Sequence, residues 1–310
     1  MTQSIRKVPL IHGAQWLLRA INLGTRNPRA IFGAALLLIA VLYLVMYLFT
    51  MPLRIGSDDI ELETYFTILA VAILAAVLVL PVLLGGLMHV IREAESGRPV
   101  RARDLFAPLR LHKALPLALL GVVQISLALI CASLVLWATG LDFWSQYQDM
   151  VRAAISGRVT NVPVAEQPAL LVLVQLVYSY LSTAVVLVSV PLIMFSGLGL
   201  SDAVKRSFGA SLWNLGSYLF AAMLFMFAAM ISGVLLTFGS LLAMRLGSII
   251  HPTVGQLLVI MLCAIYGMVF LVVMCGTCYF AWRDVFAQDD DAPPVSQTPA
   301  STANPGHFEA

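Results

Sequence analysis

The sequence predicts an all-α, polytopic membrane protein with six transmembrane helices. Three observations lead to this fold class. Hydrophobic residues make up 60% of the 310 residues and charged residues 11%, against about 45–50% and about 25% in soluble domains. Six apolar runs are each long enough to cross a bilayer, which takes about 20 residues in a helix. These runs are continuous rather than alternating, which argues against the strands of a membrane barrel.

The apolar runs give the approximate limits of the six spans. Lipid offers the backbone no hydrogen-bond partner, so each run must satisfy its own backbone as a helix. We treat residues 1–286 as one transmembrane domain. Residues 287–310 are rich in Asp, Pro, Ser and Thr and bury almost nothing, so we expect a disordered cytosolic tail. The spans are placed at about 30–51, 65–91, 115–141, 169–195, 215–244 and 254–282.

The distribution of basic residues predicts the orientation. Of the 18 Lys and Arg residues, fourteen lie before span one, after span two, after span four or after span six, and four lie on the other side. The positive-inside rule then places both termini in the cytosol. We expect a multi-pass protein of a bacterial inner membrane. The net charge of +2 is too balanced to suggest a nucleic-acid partner.

A short amphipathic segment precedes each odd-numbered span. The second of these segments is Arg103–Lys113 and the third is Ser201–Trp213. Such helices lie in the membrane interface, so the chain is predicted to form three units, each an interfacial helix followed by a helical hairpin. In the first segment, polar residues recur at helical steps at His12, Gln15, Arg19, Asn22 and Arg26, and apolar residues at Leu10, Ala14, Leu17 and Ile21.

Two spans carry a proline followed by small residues near the basic side. In span two Pro81 precedes Gly85 and Gly86, and in span four Pro191 precedes Gly197. Proline frees a backbone carbonyl and small residues admit a close neighbour, so we expect helix kinks at both places. The kinks fit either a gate or cavity, or plain packing geometry.

Signatures of chemistry are scarce. No Asp, Glu, Lys or Arg lies deep inside a span, although ion-coupled transporters usually need such groups. The C-x-x-C of Cys275 and Cys278 falls inside the last apolar run, where desolvation disfavours a thiolate. The five histidines show no metal-binding spacing, and no hydrolase or nucleotide motif occurs. We therefore expect no enzyme, no cofactor and no metal.

The densest charge follows span two. Gly97 suits the end of that helix and Pro99 the turn after it. The loop is either a solvated connection that sets the topology or a docking surface for anionic headgroups or a partner protein. The candidate interaction residues are Arg92, Glu93, Glu95, Arg98, Arg101, Arg103 and Arg110.

Three stretches of the chain carry a resemblance. The central one is Gly86-Leu87-Met88, then Arg92-Glu93-x-Glu95-x-Gly97-x-Pro99, then Leu105-Phe106-x-Pro108-x-Arg110. The others are Trp16 through Arg26-Asn27-Pro28, and Tyr279 through Arg283-Asp284-Val285-Phe286. Together they resemble a family of uncharacterised bacterial inner-membrane proteins. The resemblance implies a multi-pass architecture and assigns no catalytic residue.

Two functions stay open at this point. We favour a non-enzymatic membrane protein that works by association, as an assembly factor, an envelope factor or a lipid-contacting scaffold. Its expected partners are membrane lipids, with a protein at the cytosolic face as a further candidate. The alternative is a transporter or channel for a weakly polar or amphiphilic substrate, which the repeat and the paired Pro/Gly positions favour.

Overall fold

The computed structural model describes residues 5–25, 27–55, 62–155, 158 and 167–286, so the expected tail at 287–310 and Arg26 lie outside the described residues. The described part is helical and has no strand, which confirms the all-α prediction. Its helices are α1 (His12–Asn22), α2 (Pro28–Ile55), α3 (Leu62–Glu95), α4 (Ala107–Arg110), α5 (Ala114–Ile155), α6 (Pro168–Thr183), α7 (Ser189–Phe195), α8 (Leu200–Trp213), α9 (Leu215–Ile250) and α10 (Pro252–Phe286).

Six helical segments of the described chain are long and apolar enough to cross a membrane, as predicted. The fourth is composite, because a π turn at Ala184–Val188 joins α6 to α7. Short helical elements precede the odd-numbered spans: α1 before the first, the 3₁₀ turn Ala102–Phe106 with α4 before the third, and α8 before the fifth. The six segments are Pro28–Met51, Glu63–Glu95, Ala114–Gly140, Pro168–Phe195, Leu215–Ile250 and Pro252–Phe286.

The spans pack as an arc of neighbours in the order α6, α5, α3, α2, α10, α9. At one end of the bundle, α7 and the π turn pack across this arc onto α3 and α10. The largest buried side chains concentrate at that end, among them Trp16, Met88, Ile91, Phe280 and Phe286. The arc is therefore closed at that end by α7 and the π turn. Its two free edges are α6 and α9.

The third span is bounded by a break at Gly140. This residue has φ 75° and ψ 169° inside α5, a backbone conformation that glycine adopts without the cost of a Cβ. Beyond it the helix continues in a new direction, and the rings of Trp144 and Tyr147 stack with centroids 5.7 Å apart. The segment after Gly140 is thus a separate helix that lies outside the apolar span.

Candidate functional site at the basic end

The closed end of the bundle carries most of the basic side chains. We call this surface the basic end and define it as α1, residues 96–113, α8 and the last turn of α10 (Arg283–Phe286). It contains the charged loop and all three of the interfacial segments expected from the sequence. Because every unit of the bundle contributes to it, the basic end is the place to look for a function.

The charged loop begins with a well-formed helix end. Gly97 has φ 69°, and the N–H of Arg98 donates to the carbonyl of Glu93 at 2.9 Å. The N–H of Gly97 donates to the carbonyl of Ala94 at 3.1 Å. This pair of bonds is the Schellman arrangement that ends a helix at a glycine, so Gly97 stops α3 as the sequence indicated.

Two ion pairs neutralise part of the loop's charge. The Arg98 guanidinium contacts both carboxylate oxygens of Glu93, at 2.6 and 2.9 Å. The Arg110 guanidinium donates to Asp104 at 2.9 Å, and the other Asp104 oxygen accepts the backbone N–H of Arg101 at 2.9 Å. The hydrogen bond from the Arg101 backbone N–H is the main cause that lowers the pKa of the Asp104 carboxyl below its usual value. The contact with Arg110 lowers this pKa further. The two pairs fix the loop onto itself.

Two further arginines lie over aromatic rings. The Arg92 guanidinium sits 4.8 Å from the ring centre of Phe195, which joins the end of α3 to the end of α7. Phe195 in turn packs against Trp282 of α10, with ring centres 5.0 Å apart. Arg283 lies 5.0 Å from the ring centre of Phe280. Arg92 thus belongs to the packing of three helices, through cation–π and ring contacts.

The remaining charges are turned to the surroundings. Arg101 and Arg103 of the loop are exposed, and Glu95 lines a polar hollow together with Arg19 and Asn22. Within the described residues, and besides the two arginines that lie over rings, seven basic side chains in or next to the basic end have no acidic partner within 4 Å: Lys7, Arg29, Arg101, Arg103, Lys113, Lys205 and Arg206. Of the seven loop residues named from the sequence, Arg101 and Arg103 are therefore the ones available to another molecule.

Helix α1 is docked into the bundle rather than laid on its surface. Its buried face is Gly13, Trp16, Leu17 and Ala20, and a Cβ at Gly13 would lie 2.6 Å from the carbonyl oxygen of Ser217 in α9. The expected apolar stripe is only partly correct. Leu17 is buried, but Leu10 and Ile21 are more than half exposed, because the helix turns its small residues and Trp16 toward α9 and α10.

An extended segment before α1, residues 5–9, is hydrogen-bonded to the start of α9 and to the end of α10. The amide of Asn214 uses both its groups here: its oxygen accepts the N–H of Val8 at 2.9 Å, and its nitrogen donates to the carbonyl of Arg6 at 3.0 Å. The Ser217 hydroxyl donates to the carbonyl of Val8 at 3.0 Å. The N–H of Arg6 donates to the carbonyl of Val285 at 3.1 Å. We call residues 5–9 the N-terminal strap.

The small residues after Pro81 admit a close neighbour. The α-helix continues on both sides of Pro81, so a kink there stays a prediction. A Cβ on Gly86 would lie 1.7 Å from the carbonyl oxygen of Leu105, whereas one on Gly85 would meet only the side chains of Leu117 and Pro108. The 3₁₀ turn of the charged loop therefore rests directly on the backbone of α3 at Gly86.

The span containing Pro191 departs from regular α-helix just before the proline. The π turn Ala184–Val188 precedes it, and the buried hydroxyl of Ser207 in α8 donates to the carbonyl of Ala184 at 2.6 Å. Gly197 lies beyond the end of α7 with φ 65°, where it terminates the helix. Whether this span bends further in function stays a prediction.

The π turn forms one wall of a cavity of about 330 Å³. The other walls are α6, α8, α9 and α10, with Trp16 of α1 at the base. The lining is almost wholly apolar. Ser211 and Tyr218 are among the lining residues, and their hydroxyl oxygens are buried with no hydrogen-bond partner among the described residues. Nothing in the sequence pointed to this cavity, since its walls come from helices far apart in the chain.

Comparison with known proteins adds no relative: no family model, no curated protein and no solved structure matches this chain. The resemblance noted in the sequence is therefore not supported by a family match. Its two terminal stretches are nevertheless in contact, because Trp16 hydrogen-bonds to Asp284 at 2.8 Å.

Proposed function

We propose that the protein is a non-enzymatic, lipid-contacting protein of a bacterial inner membrane, with both termini in the cytosol. Its basic end would bind the anionic headgroups of the cytosolic leaflet, which steadies the bundle in one orientation. The observation that carries this proposal is the set of seven basic side chains without acidic partners at one end of the bundle. Each Lys or Arg near an anionic surface contributes about 1 kcal/mol of attraction.

The internal pairing of the charged loop supports this view. Arg98 and Arg110 neutralise acidic neighbours and Arg92 packs on Phe195, so these side chains hold the shape of the loop. Arg101 and Arg103 then project from a rigid platform. A partner protein that docks on this platform, as in an assembly or envelope factor, remains compatible with the same chemistry.

Anionic lipid should stabilise the purified protein if this proposal holds. We would measure the thermal unfolding midpoint in mild detergent with added phosphatidylglycerol or, as the neutral comparison, phosphatidylcholine. We expect a higher midpoint with the anionic lipid, reduced by salt. The triple variant Arg101→Gln, Arg103→Gln, Lys205→Gln should lose most of this difference.

The matched control removes three charges from the opposite side, in Arg152→Gln, Arg158→Gln, Arg245→Gln. This variant should respond to phosphatidylglycerol as the wild type does. Equal stabilisation by both lipids, or an equal loss in both triple variants, would reject headgroup binding at the basic end.

The second candidate is transport of a weakly polar or amphiphilic substrate. It is favoured by the π turn next to a cavity and a proline, because π turns are frequent at functional sites. Uptake into reconstituted vesicles by wild type, Pro191→Ala and Pro81→Ala tests it. A gating role requires that Pro191→Ala slows uptake while inserting normally; unchanged uptake in both variants would exclude it.

A further inference from the structure

The cavity lies where the two free edges of the helix arc face each other. Its lining residues Thr183 of α6 and Ala222 of α9 are exposed, whereas Ala184 and Ser211 deeper in the wall are buried. The mouth therefore opens sideways between α6 and α9. Ala222 is seven residues along α9 from Leu215, about 10 Å by the rise of an α-helix. The mouth is thus at the depth of acyl chains rather than of headgroups.

The lining restricts the chemistry of an occupant. None of the described residues that line the cavity is charged, so a free carboxylate or phosphate would enter without a counter-charge, at a large desolvation cost. The volume of about 330 Å³ is within the range of roughly 300–1,000 Å³ that small-molecule sites occupy. An apolar chain fits both conditions.

Two hydroxyls in the wall lack partners. The Ser211 side chain is buried, and its oxygen has no hydrogen-bond partner among the described residues; the same holds for the Tyr218 oxygen. Their neighbours are already committed, since the Tyr180 hydroxyl donates to the Ser211 carbonyl and the Trp16 N–H to Asp284. Buried polar groups are normally satisfied, so these two hydroxyls point to a ligand with a neutral polar group.

We propose that this cavity binds one alkyl chain of a lipid together with the neutral hydrogen-bond acceptor at the head of that chain, an ester carbonyl or a hydroxyl. The Tyr218 hydroxyl donates to that acceptor, and the chain lies along the apolar wall formed by α9, α10 and the π turn. The site goes beyond the proposed binding of headgroups at the basic end, and either proposal can fail without the other.

Photolabelling of the purified full-length protein tests the site. The probe is a long-chain fatty alcohol with a diazirine in the chain, and the labelled peptides are located by mass spectrometry. We expect labels on the segments of α6, α9 and α10 that line the cavity. Ala222→Phe, which fills the mouth, should reduce this labelling by roughly tenfold or more.

The matched control is Ala228→Phe, at another exposed alanine of α9 that does not line the cavity, which should label as the wild type does. If Ala222→Phe does not fold, Thr183→Phe blocks the mouth from the opposite edge. Labelling that is spread over all lipid-facing helices, or that Ala222→Phe and Ala228→Phe reduce equally, would overturn the site.

The hydrogen bond is tested separately with Tyr218→Phe. This change removes a hydroxyl that has no hydrogen-bond partner among the described residues, so the fold should be retained. Labelling by the alcohol should fall roughly fivefold, while labelling by the corresponding diazirine alkane stays unchanged. Equal effects on both probes would overturn the role of Tyr218.

The natural source of the bound alkyl chain can be identified from the lipids that co-purify with the protein. In native mass spectrometry, a diacyl lipid that wild type retains and Ala222→Phe loses assigns the chain to a bilayer lipid. A single-chain neutral species lost in the same way assigns it to a free amphiphile. If the variant retains every lipid that the wild type retains, the cavity does not hold one.

Discussion

Asp284, near the end of α10, accepts a hydrogen bond of 2.8 Å from the indole N–H of Trp16 in α1. The same carboxylate lies 3.3 Å from Nδ1 of His12 and 3.4 Å from the guanidinium of Arg19. Trp16 is completely buried. One acidic side chain therefore attaches the amphipathic helix α1 to the last span and closes the apolar base beneath the cavity.

Trp16→Phe should destabilise the bundle, because the ring stays buried while the carboxylate loses its best-placed donor. A hydrogen bond to a charged group contributes about 1.5–3 kcal/mol, and we expect a loss of that order in unfolding experiments in mixed micelles. Arg19→Gln is the matched comparison. Its longer contact and its side-chain exposure of 42% predict a cost below about 1 kcal/mol. Equal costs for the two variants would contradict the assignment.

Asn214→Asp should loosen the N-terminal strap. The carboxylate keeps an acceptor for the N–H of Val8 but cannot donate to the carbonyl of Arg6, which the amide nitrogen now does at 3.0 Å. We expect faster hydrogen exchange at the Val8 amide and earlier proteolysis of the strap. Asn22→Asp, at an exposed position of α1, should leave both unchanged; unchanged exchange in Asn214→Asp would show that the strap is held elsewhere.

Gly86→Ala should separate the charged loop from α3. The new Cβ would lie 1.7 Å from the Leu105 carbonyl oxygen, and backbone cannot yield as a side chain does. The cost should reach the roughly 1–3 kcal/mol typical of overpacking. Gly85→Ala is the neighbouring control, since its Cβ would meet only side-chain atoms. Thermal unfolding of the two variants measures the difference, and Gly85→Ala as damaging as Gly86→Ala would refute the close approach.

The sequence predicted the spans because lipid leaves so few alternatives. An uncharged run such as Pro28–Met51 must form a helix in a membrane whatever its neighbours are. The end of α3 was also predictable, since a glycine such as Gly97 marks a left-handed position by its own conformational preference. These features depend on local composition, which a single sequence contains.

The candidate site was less predictable because its contacts join distant residues. Arg98 and Arg101 look alike in the sequence, yet Arg98 is paired with Glu93 and Arg101 has no acidic partner within the described chain. Ser211 and Tyr218 are unremarkable helical residues until the packing of α8 and α9 leaves their hydroxyls unpartnered. Only the order in which the helices pack, which composition does not encode, distinguishes such residues.

His112→Gly should stabilise the turn before α5. His112 has φ 54°, and the N–H of Lys113 donates to the carbonyl of Pro108 at 2.8 Å, so a histidine occupies the left-handed position of a helix end. That conformation costs a non-glycine residue roughly 1–2 kcal/mol, and part of this should be recovered as a higher unfolding midpoint. Gly97→Ala is the reciprocal variant, and we expect it to lower the unfolding midpoint. The prediction requires that the two variants shift the midpoint in opposite directions. A lower midpoint for His112→Gly would mean that the histidine side chain stabilises the turn by more than its backbone conformation costs.

Asp104 should make the charged loop sensitive to acid. Its pKa is lowered in the folded protein, first by the Arg101 backbone N–H and then by Arg110, so the folded state favours the carboxylate. The stabilisation is complete above the unfolded carboxyl pKa of about 3.9 and is lost as the pH falls through the lowered folded value. In unfolding experiments the difference between wild type and Asp104→Asn should therefore shrink below about pH 4. Arg110→Gln removes the Arg110 contact and keeps the Arg101 hydrogen bond, so it should remove part of the stability difference between wild type and Asp104→Asn. If that stability difference persists in acid, the carboxylate charge does not stabilise the loop.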